Sequence, residues 1–195
     1  MPFASYRPIA LLVFCLPALA GSVPGIKNFE QVDAHVYRGA QPTDEGFQYL
    51  AKLRVKTIVD LREADGRSKA EERVVTGAGM QYVNVPMTGH TPPTEPEIAK
   101  ILALLENSAT GPVFVHCMRG ADRTGAVIAA YHIDHDKWEN ARALADAKAH
   151  RMSFFQFPRQ QYILGFRPRI VEANAASLAE ALPVAAAPAA SGLTN

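Results

Sequence analysis

Ten consecutive residues, His116 to Gly125, place a thiol, two guanidinium groups and two glycines in one short stretch, HCMRGADRTG. An apolar run over 113–115 precedes it and indicates a buried strand, and an apolar run over 124–131 indicates a helix. A loop that joins a strand end to a helix start is a natural anion site, because its N–H groups converge and the first helical turn adds partial positive charge. Cys117 and Arg123 would therefore face the same bound anion.

Attack by sulfur on a phosphate ester is the chemistry that suits these residues. Nearby positive charge and a helix N-terminus lower the pKa of a cysteine, and the thiolate is the nucleophile. Arg123 can hold two equatorial oxygens of the phosphoryl group at once, and the Thr124 hydroxyl can help the sulfur leave when water attacks. Gly120 allows a turn that a Cβ would obstruct. The alternative is a buried, inert cysteine, which leaves His116 and Arg123 unexplained.

The pattern His-Cys-x-x-Gly-x-x-Arg-Thr-Gly resembles the signature of the cysteine-dependent phosphatases, the protein tyrosine and dual-specificity phosphatase superfamily. Segments near residues 28, 37–42 and 58–62 are similar to the N-terminal half of the compact atypical dual-specificity phosphatases of plants, fungi and bacteria. The resemblance covers about residues 28–170. It implies hydrolysis of phosphate monoesters through a phosphocysteine on Cys117, by a chemistry that needs no metal and no cofactor.

The resemblance also assigns roles to the neighbours of the nucleophile. His116 is expected to support the thiolate through its hydrogen bonding, and the loop residues around the phosphate are Met118, Arg119, Gly120 and Ala121.

Arg62 is a further candidate for substrate binding. It follows a predicted parallel strand, at the sheet edge where α/β proteins bind ligands, and it could contact a second phosphate or an acidic side chain of the substrate. The alternative is a surface arginine paired with Glu63 or Asp65.

The general acid departs from the superfamily pattern. Most members place an aspartate on a movable loop that corresponds to residues 86–96 here, and this stretch has no Asp. Asp122 is the preferred acid, because a dianionic substrate raises the pKa of a neighbouring carboxyl group. The local substitutes are His90, Glu95 and Glu97, of which the two glutamates fall in the first turn of a helix. The alternative role for Asp122 is to orient the adjacent arginine.

The substrate class is indicated by the resemblance and by the side chains of the phosphate loop. The resemblance implies phosphotyrosine or phosphoserine/threonine proteins, or inositol phosphates and phosphoinositides. Met118 and Ala121 are neutral where several phosphoinositide-cleaving relatives carry lysines, which favours phosphotyrosine, although Arg119 adds one positive group. Two rivals stay open: a phosphate-binding module that has lost catalysis, and sulfur transfer of the rhodanese type, which the arginine and Thr-Gly spacing fit less well.

Residues 1–20 have the features of a secretory signal peptide: Arg7, an apolar run over 9–16, and small residues at 18 and 20. The run is short for a membrane span, although an uncleaved anchor is an alternative. Cleavage would remove Cys15 and leave Cys117 without an internal disulfide partner. We expect a periplasmic or secreted monomer with no stable membrane insertion after cleavage.

The alternation of strands and helices predicts one α/β domain, with a mainly parallel central sheet of four or five strands flanked by helices and a phosphatase-type phosphate loop. We place the phosphatase domain at 28–172, after an N-terminal linker over 21–27 and before a flexible Ala/Pro-rich tail over 173–195. The net charge of +1 gives no support to nucleic-acid binding.

Three local features of this domain can be predicted. Ser68 is expected to cap a helix that runs to about Ala78, and Thr94 with Glu97 to form a capping box for the next helix. The late aromatic side chains are expected to complete the core; these are Phe154, Phe155, Phe157, Tyr162 and Phe166.

Overall fold

The computed structural model describes residues 23–169. The predicted signal peptide, the first two linker residues and the predicted tail lie outside the described residues. Five strands form one sheet: β1 (Glu30–Gln31), β2 (Val36–Ala40), β3 (Thr57–Asp60), β4 (Gln81–Asn84) and β5 (Val113–Cys117). Six α-helices and a short 3₁₀ turn (Ser108–Thr110) accompany them: α1 (Asp44–Lys52), α2 (Gly66–Gly77), α3 (Glu95–Glu106), α4 (Asp122–Asp134), α5 (Asn140–Ala149) and α6 (Phe157–Gly165).

The sheet has the strand order β1-β2-β5-β3-β4, in which only the β1–β2 pair is antiparallel. The prediction of a mainly parallel sheet of four or five strands is confirmed. Strand β5 lies at the centre, paired with β2 on one side and β3 on the other, and His116 is level with both Gly39 and Asp60. The carboxyl ends of these three strands therefore meet at one edge, beside Cys117.

Helices cover both faces of the sheet, as predicted. Successive residues of β5 point to opposite faces, so that Val113 and Val115 enter the larger core while Phe114 enters the smaller one. The larger core lies beneath α3 to α6, and the smaller core lies beneath α1 and α2. Helix α4 is buried along most of its length, which fixes the direction of its N-terminus. Among the described helices, none is long and apolar enough to cross a bilayer.

Helix α2 begins earlier than Ser68, so the predicted cap is wrong. The carboxylate of Asp65 caps the helix by accepting from the N–H groups of Arg67 and Ser68. Ser68 instead lies in the first turn, where its hydroxyl accepts from the N–H of Asp65 at 3.0 Å. The two side chains thus satisfy each other's backbone donors. Helix α3 begins after Thr94 as predicted, and Glu97 accepts from the Thr94 N–H at 2.7 Å.

Three of the aromatic side chains expected in the core are exposed. Phe154, Phe155 and Phe157 have exposed fractions of 71%, 79% and 53%. Helix α6 turns Arg159 and Ile163 inward, four residues apart, and Phe157 lies two residues before Arg159 on the other face. Apolar character alone could not indicate this orientation. Phe166 is buried as predicted, and Tyr162 packs against the same core.

Candidate active site

The phosphate loop, residues 118–121, joins the end of β5 to the start of α4. Cys117 is the last residue of β5 and is only 2% exposed. Gly120 has a φ of +64°, and the close packing of the loop against β2 leaves no room for a Cβ there. The helix N-terminus and the loop amides therefore lie next to the sulfur, as the sequence predicts.

A pocket of about 280 Å³ opens at this edge of the sheet. Its lining includes five residues predicted for the site, Cys117, Met118, Arg119, Asp122 and Arg123, together with Gly89, His90 and Gln156. Gly120, Ala121, Thr124 and His116 are buried behind this lining. Glu97 serves as a helix cap, and Glu95 lines a different cavity beside Tyr162, so His90 is the substitute acid that reaches the pocket.

The Cys117 thiol is set up to ionise. Burial raises its pKa, but hydrogen bonding from Thr124, the charge of Arg123 and the N–H of Arg119 outweigh burial, so the pKa lies below its ordinary value. The Thr124 hydroxyl is fully buried next to the thiol, and it is the group that lowers the pKa of Cys117 most.

Backbone carbonyls hold the Arg123 side chain in the pocket lining. One terminal nitrogen donates to the carbonyl oxygen of Leu61 at 3.3 Å and to that of Met87 at 3.2 Å. The guanidinium is only partly buried, and it lines the pocket. It is therefore held in place with the remaining N–H groups available to an anion.

Asp122 is the first residue of α4, and two groups bind its carboxylate. Arg119 forms an ion pair with it, and the N–H of Ser153 donates to Oδ1 at 2.7 Å. Neither contact is with Arg123. Asp122 therefore orients the Arg119 side chain and not the adjacent Arg123. The contacts tie the phosphate loop to the segment before α6.

Arg62 does not lie in the pocket. It is 5% exposed, and its guanidinium binds Asp60 and Glu71, each at 2.7 Å, rather than Glu63 or Asp65. The expected substrate contact is thus replaced by a buried ion-pair cluster behind the loop. Two carboxylates cannot stay ionised in the interior without such a partner, and an arginine fork can serve both.

His116 belongs to the same buried cluster. Its Nε2 lies 2.8 Å from a Glu71 carboxylate oxygen, and its ring stacks on Phe114 with centroids 5.6 Å apart. Burial lowers the pKa of His116, but the Glu71 and Asp60 carboxylates outweigh it, and the net pKa is raised. Asp60, Glu71 and His116 also have the donor types of a metal site. They do not fit one, because the Arg62 guanidinium already binds both carboxylates.

Two residues missed as functional candidates hold the phosphate loop from behind. The amide of Asn28 donates to the carbonyl oxygen of Gly120 at 2.8 Å, and Arg38 donates to the same oxygen at 3.2 Å. Arg38 is fully buried and lies 3.5 Å from the Asp146 carboxylate. With its carbonyl turned away, the loop can direct N–H groups into the pocket. Asn28 and Arg38 occur in the segments that resemble the phosphatases, but contacts over such sequence distances leave no local pattern.

Arg159 was also missed, and it supports the pocket wall. Its side chain is fully buried and donates to the carbonyl oxygens of Thr88 and Gly89 at 2.7 and 2.8 Å. Helix α6 therefore holds the loop that follows Met87 against the pocket.

Comparison with known proteins gives a consistent set of similarities. Residues 20–163 match the family model described as DSP-PTPase phosphatase fused to NAD+ kinase. The chain is 30% identical over 131 residues to the dual specificity protein phosphatase TpbA of Pseudomonas aeruginosa, which covers 67% of this chain and 57% of TpbA. It is 28% identical over 119 residues to the probable NAD kinase 2, chloroplastic, of Oryza sativa subsp. japonica, with 59% of this chain and 12% of that protein covered. The chain thus spans little more than half of TpbA and a small part of the rice protein.

Two solved structures share the fold. The core catalytic domain of the PP-IP phosphatase SIW14 from S. cerevisiae, in complex with citrate, superposes with a TM-score of 0.68 and 25% identity, covering 84% of this chain and 99% of that one. TpbA in complex with pTyr gives a TM-score of 0.60 at 22% identity, covering 74% of this chain and 92% of that one.

Proposed function

The chain belongs to the DSP-PTPase family of the cysteine-dependent protein tyrosine phosphatase superfamily, and from this premise we propose that it hydrolyses phosphate monoesters. One observation carries the proposal: the Cys117 thiol, with its lowered pKa, shares a pocket with Arg123 at the N-terminus of α4. A phosphate dianion in this pocket would lie against the Cys117 thiolate, the Arg123 guanidinium and the N–H groups of the phosphate loop.

The reaction has two steps. The Cys117 thiolate attacks phosphorus, the bond to the ester oxygen breaks, and the alcohol leaves with a proton. Water then attacks the phosphocysteine, inorganic phosphate is released, and the thiolate is restored with help from the Thr124 hydroxyl. Arg123 and the loop amides stabilise the charge on the equatorial oxygens in both steps.

Asp122 is the acid that we propose for the first step. Its carboxyl group lines the pocket beside the nucleophile. Asp122→Asn should slow hydrolysis of an alkyl phosphate by about 100-fold, but that of p-nitrophenyl phosphate much less, since the latter leaving group needs little protonation. His90→Gln, which changes the other candidate acid in the pocket lining, is the matched control. Equal losses on both substrates would refute the acid role of Asp122, and selective loss in the control would transfer it to His90.

Phosphotyrosine proteins are the substrates that we favour. Met118 at the pocket is neutral, and Arg119 already pairs with Asp122, so few cations are free for a polyphosphorylated ring. The name of TpbA, a dual specificity protein phosphatase, supports a protein substrate. The name of SIW14 supports the alternative, an inositol phosphate substrate, and the two classes separate by kcat/KM on a phosphotyrosine peptide and on inositol polyphosphates.

The decisive experiment compares the native protein with Cys117→Ser on p-nitrophenyl phosphate in the presence of a chelator. We expect turnover by the native protein and none by the variant, with phosphate binding retained. Activity in the variant would refute the thiol mechanism. Inactivity of both proteins, with binding retained, would favour a phosphate-binding module, and thiocyanate production from thiosulfate and cyanide would favour sulfur transfer.

Export is a separate proposal that rests on residues 1–20. N-terminal sequencing of the mature protein should give a sequence that begins at Gly21. We also propose that the mature protein is a monomer, which size-exclusion chromatography would test.

A further inference from the structure

Three phenylalanine side chains form an exposed aromatic cluster on the surface, which we call the aromatic rim: Phe154, Phe155 and Phe157. The Phe154 ring makes edge-to-face contacts with the other two, with centroids 5.3 and 5.4 Å apart. Among residues 23–169, six large apolar side chains are exposed, and the rim supplies three of them. A fourth, Met118, lines the pocket. Contiguous exposed apolar surface of this kind marks a binding site more often than a chance arrangement.

The rim lies beside the pocket, because one residue of its segment lines the pocket and another is bonded to a residue that does. Ser153, just before the rim, donates its N–H to Asp122 at 2.7 Å. Gln156, within the rim segment, lines the pocket and donates to the Gly89 carbonyl oxygen at 3.2 Å. Since one residue spans at most ~3.6 Å of chain, Phe154 and Phe155 begin within a few ångströms of these two anchors.

The backbone that carries the rings is held in place. The side chain of Gln160 donates to the carbonyl oxygens of Ser153 and Phe154 at 3.1 and 3.0 Å. The N–H of Phe155 donates to the Ser153 hydroxyl at 3.3 Å. The rings are therefore displayed on an ordered turn, which lowers the entropy lost when a ligand binds.

The pocket and the rim together have two chemical zones. The pocket presents Cys117, Arg123 and the α4 N-terminus to an anion, whereas the surface beyond Gln156 carries the aromatic rim. An apolar side chain gains contact area on such rings, but anionic groups are repelled by the negative ring faces. An inositol ring carrying phosphates all round would bring anions to both zones. A phosphotyrosine peptide would place its one dianion in the pocket and its neighbouring side chains on the aromatic rim.

We propose that the aromatic rim binds an apolar side chain next to the phosphotyrosine of a protein substrate, and so selects substrates by the sequence around the phosphate. The inference rests on the proposed phosphatase function. It adds a specificity surface outside the phosphate-binding residues.

The test uses two phosphotyrosine peptides that differ only in having leucine or serine on either side of the phosphorylated residue. The variant is Phe154→Ser/Phe155→Ser, whose side chains are too exposed to be needed for folding. The matched control is Val74→Ser on α2, an apolar residue that is 40% exposed. We expect the rim variant to lose about tenfold in kcat/KM on the leucine peptide, equivalent to ~1.4 kcal/mol, and less than twofold on the serine peptide and p-nitrophenyl phosphate.

The outcomes separate the rim from the chemistry. If the native protein hydrolyses p-nitrophenyl phosphate but does not prefer the leucine peptide, or if the rim variant keeps that preference, the rim proposal is wrong and the phosphatase function stands. If the rim variant lost activity only on phosphoinositide vesicles and not on the peptides, the rim would bind a membrane surface and the peptide proposal would be wrong. An equal loss in Val74→Ser would remove the special role of the rim. A native protein inactive on p-nitrophenyl phosphate would instead overturn the function on which the rim proposal rests.

Discussion

Adding one methyl group at Gly120 should disable the phosphate loop while leaving the protein folded. A Cβ built on Gly120 would lie 2.3 Å from the carbonyl carbon of Gly39 and 2.5 Å from the backbone nitrogen of Ala40. Both are main-chain atoms of β2, which pairs with β1 and β5. Because a strand paired on both sides cannot easily shift, the loop has to move instead.

Two costs combine in Gly120→Ala. An L-residue at the φ of +64° observed there costs about 1–2 kcal/mol. Overpacking against fixed backbone adds about 1–3 kcal/mol. The sum of the two costs, about 2–5 kcal/mol, is smaller than the free energy of unfolding of many domains. The variant should therefore fold, but with a lower free energy of unfolding. Displacing the loop by about 1 Å would lower kcat by about 100-fold.

Urea unfolding and p-nitrophenyl phosphate kinetics at low urea measure these two effects separately. Gly66→Ala is the matched control, because nothing lies within 4 Å of the added methyl at the start of α2. It should keep full activity and native stability or slightly more. If Gly120→Ala unfolded at the native urea midpoint and kept its kcat, the steric argument for the loop geometry would be refuted.

Three further predictions concern the groups around the loop. Asn28→Ala removes the shorter of the two hydrogen bonds to the Gly120 carbonyl and a second bond to the His150 carbonyl at 3.0 Å, at a residue whose φ is +53°, so it should lower kcat by about tenfold and also lower the thermal midpoint, measured by steady-state kinetics and calorimetry. Thr124→Val removes a donor that lowers the pKa of Cys117, so the acid limb of the kcat/KM profile should move to higher pH; an unmoved limb would show that the hydroxyl does not act on the thiolate. Hydrogen bonding to the carboxylates of Asp146 and Glu30 raises the pKa of His150 from 6.5 to about 9, so its stabilising effect is complete below pH 6.5 and is lost as the pH rises through 9; His150→Gln should flatten that part of the stability profile, measured by urea unfolding at each pH.

Local patterns were enough to predict the strand, loop and helix around the candidate site. The buried run before Cys117 and the apolar run after Thr124 give a strand and a helix, and their spacing fixes the loop between them. The resulting pocket contains Cys117, Arg123 and Asp122, as predicted. These predictions succeed because the loop, its nucleophile and its arginine are neighbours in sequence as well as in space.

Partners that are distant in sequence could not be predicted. Arg62 stands at the strand end where a ligand-binding arginine is expected, yet Glu71 from α2 and Asp60 from β3 bind it. The rim phenylalanines have core-like composition, and only the direction of α6 exposes them. In each case the decisive contact depends on how one helix lies against the rest of the fold, and hydrophobic periodicity does not determine that.

Buried charges around the loop divide into two groups with different consequences for the thiolate. Behind His116, the carboxylates of Asp60 and Glu71 are balanced by Arg62 and by the histidine, so this cluster contributes little net field. Arg38 and Arg159 are different. Burial lowers their pKa values; the carboxylates of Asp146 beside Arg38 and Asp122 beside Arg159 oppose this most, and the Cys117 thiolate adds only a smaller opposing effect. Both side chains are fully buried and bonded to backbone carbonyls, so their main role is to hold the phosphate loop and the segment after Met87 in place. The pKa of Cys117 is thus lowered chiefly by Thr124 and Arg123, and Arg123 keeps further N–H groups for an anion in the pocket.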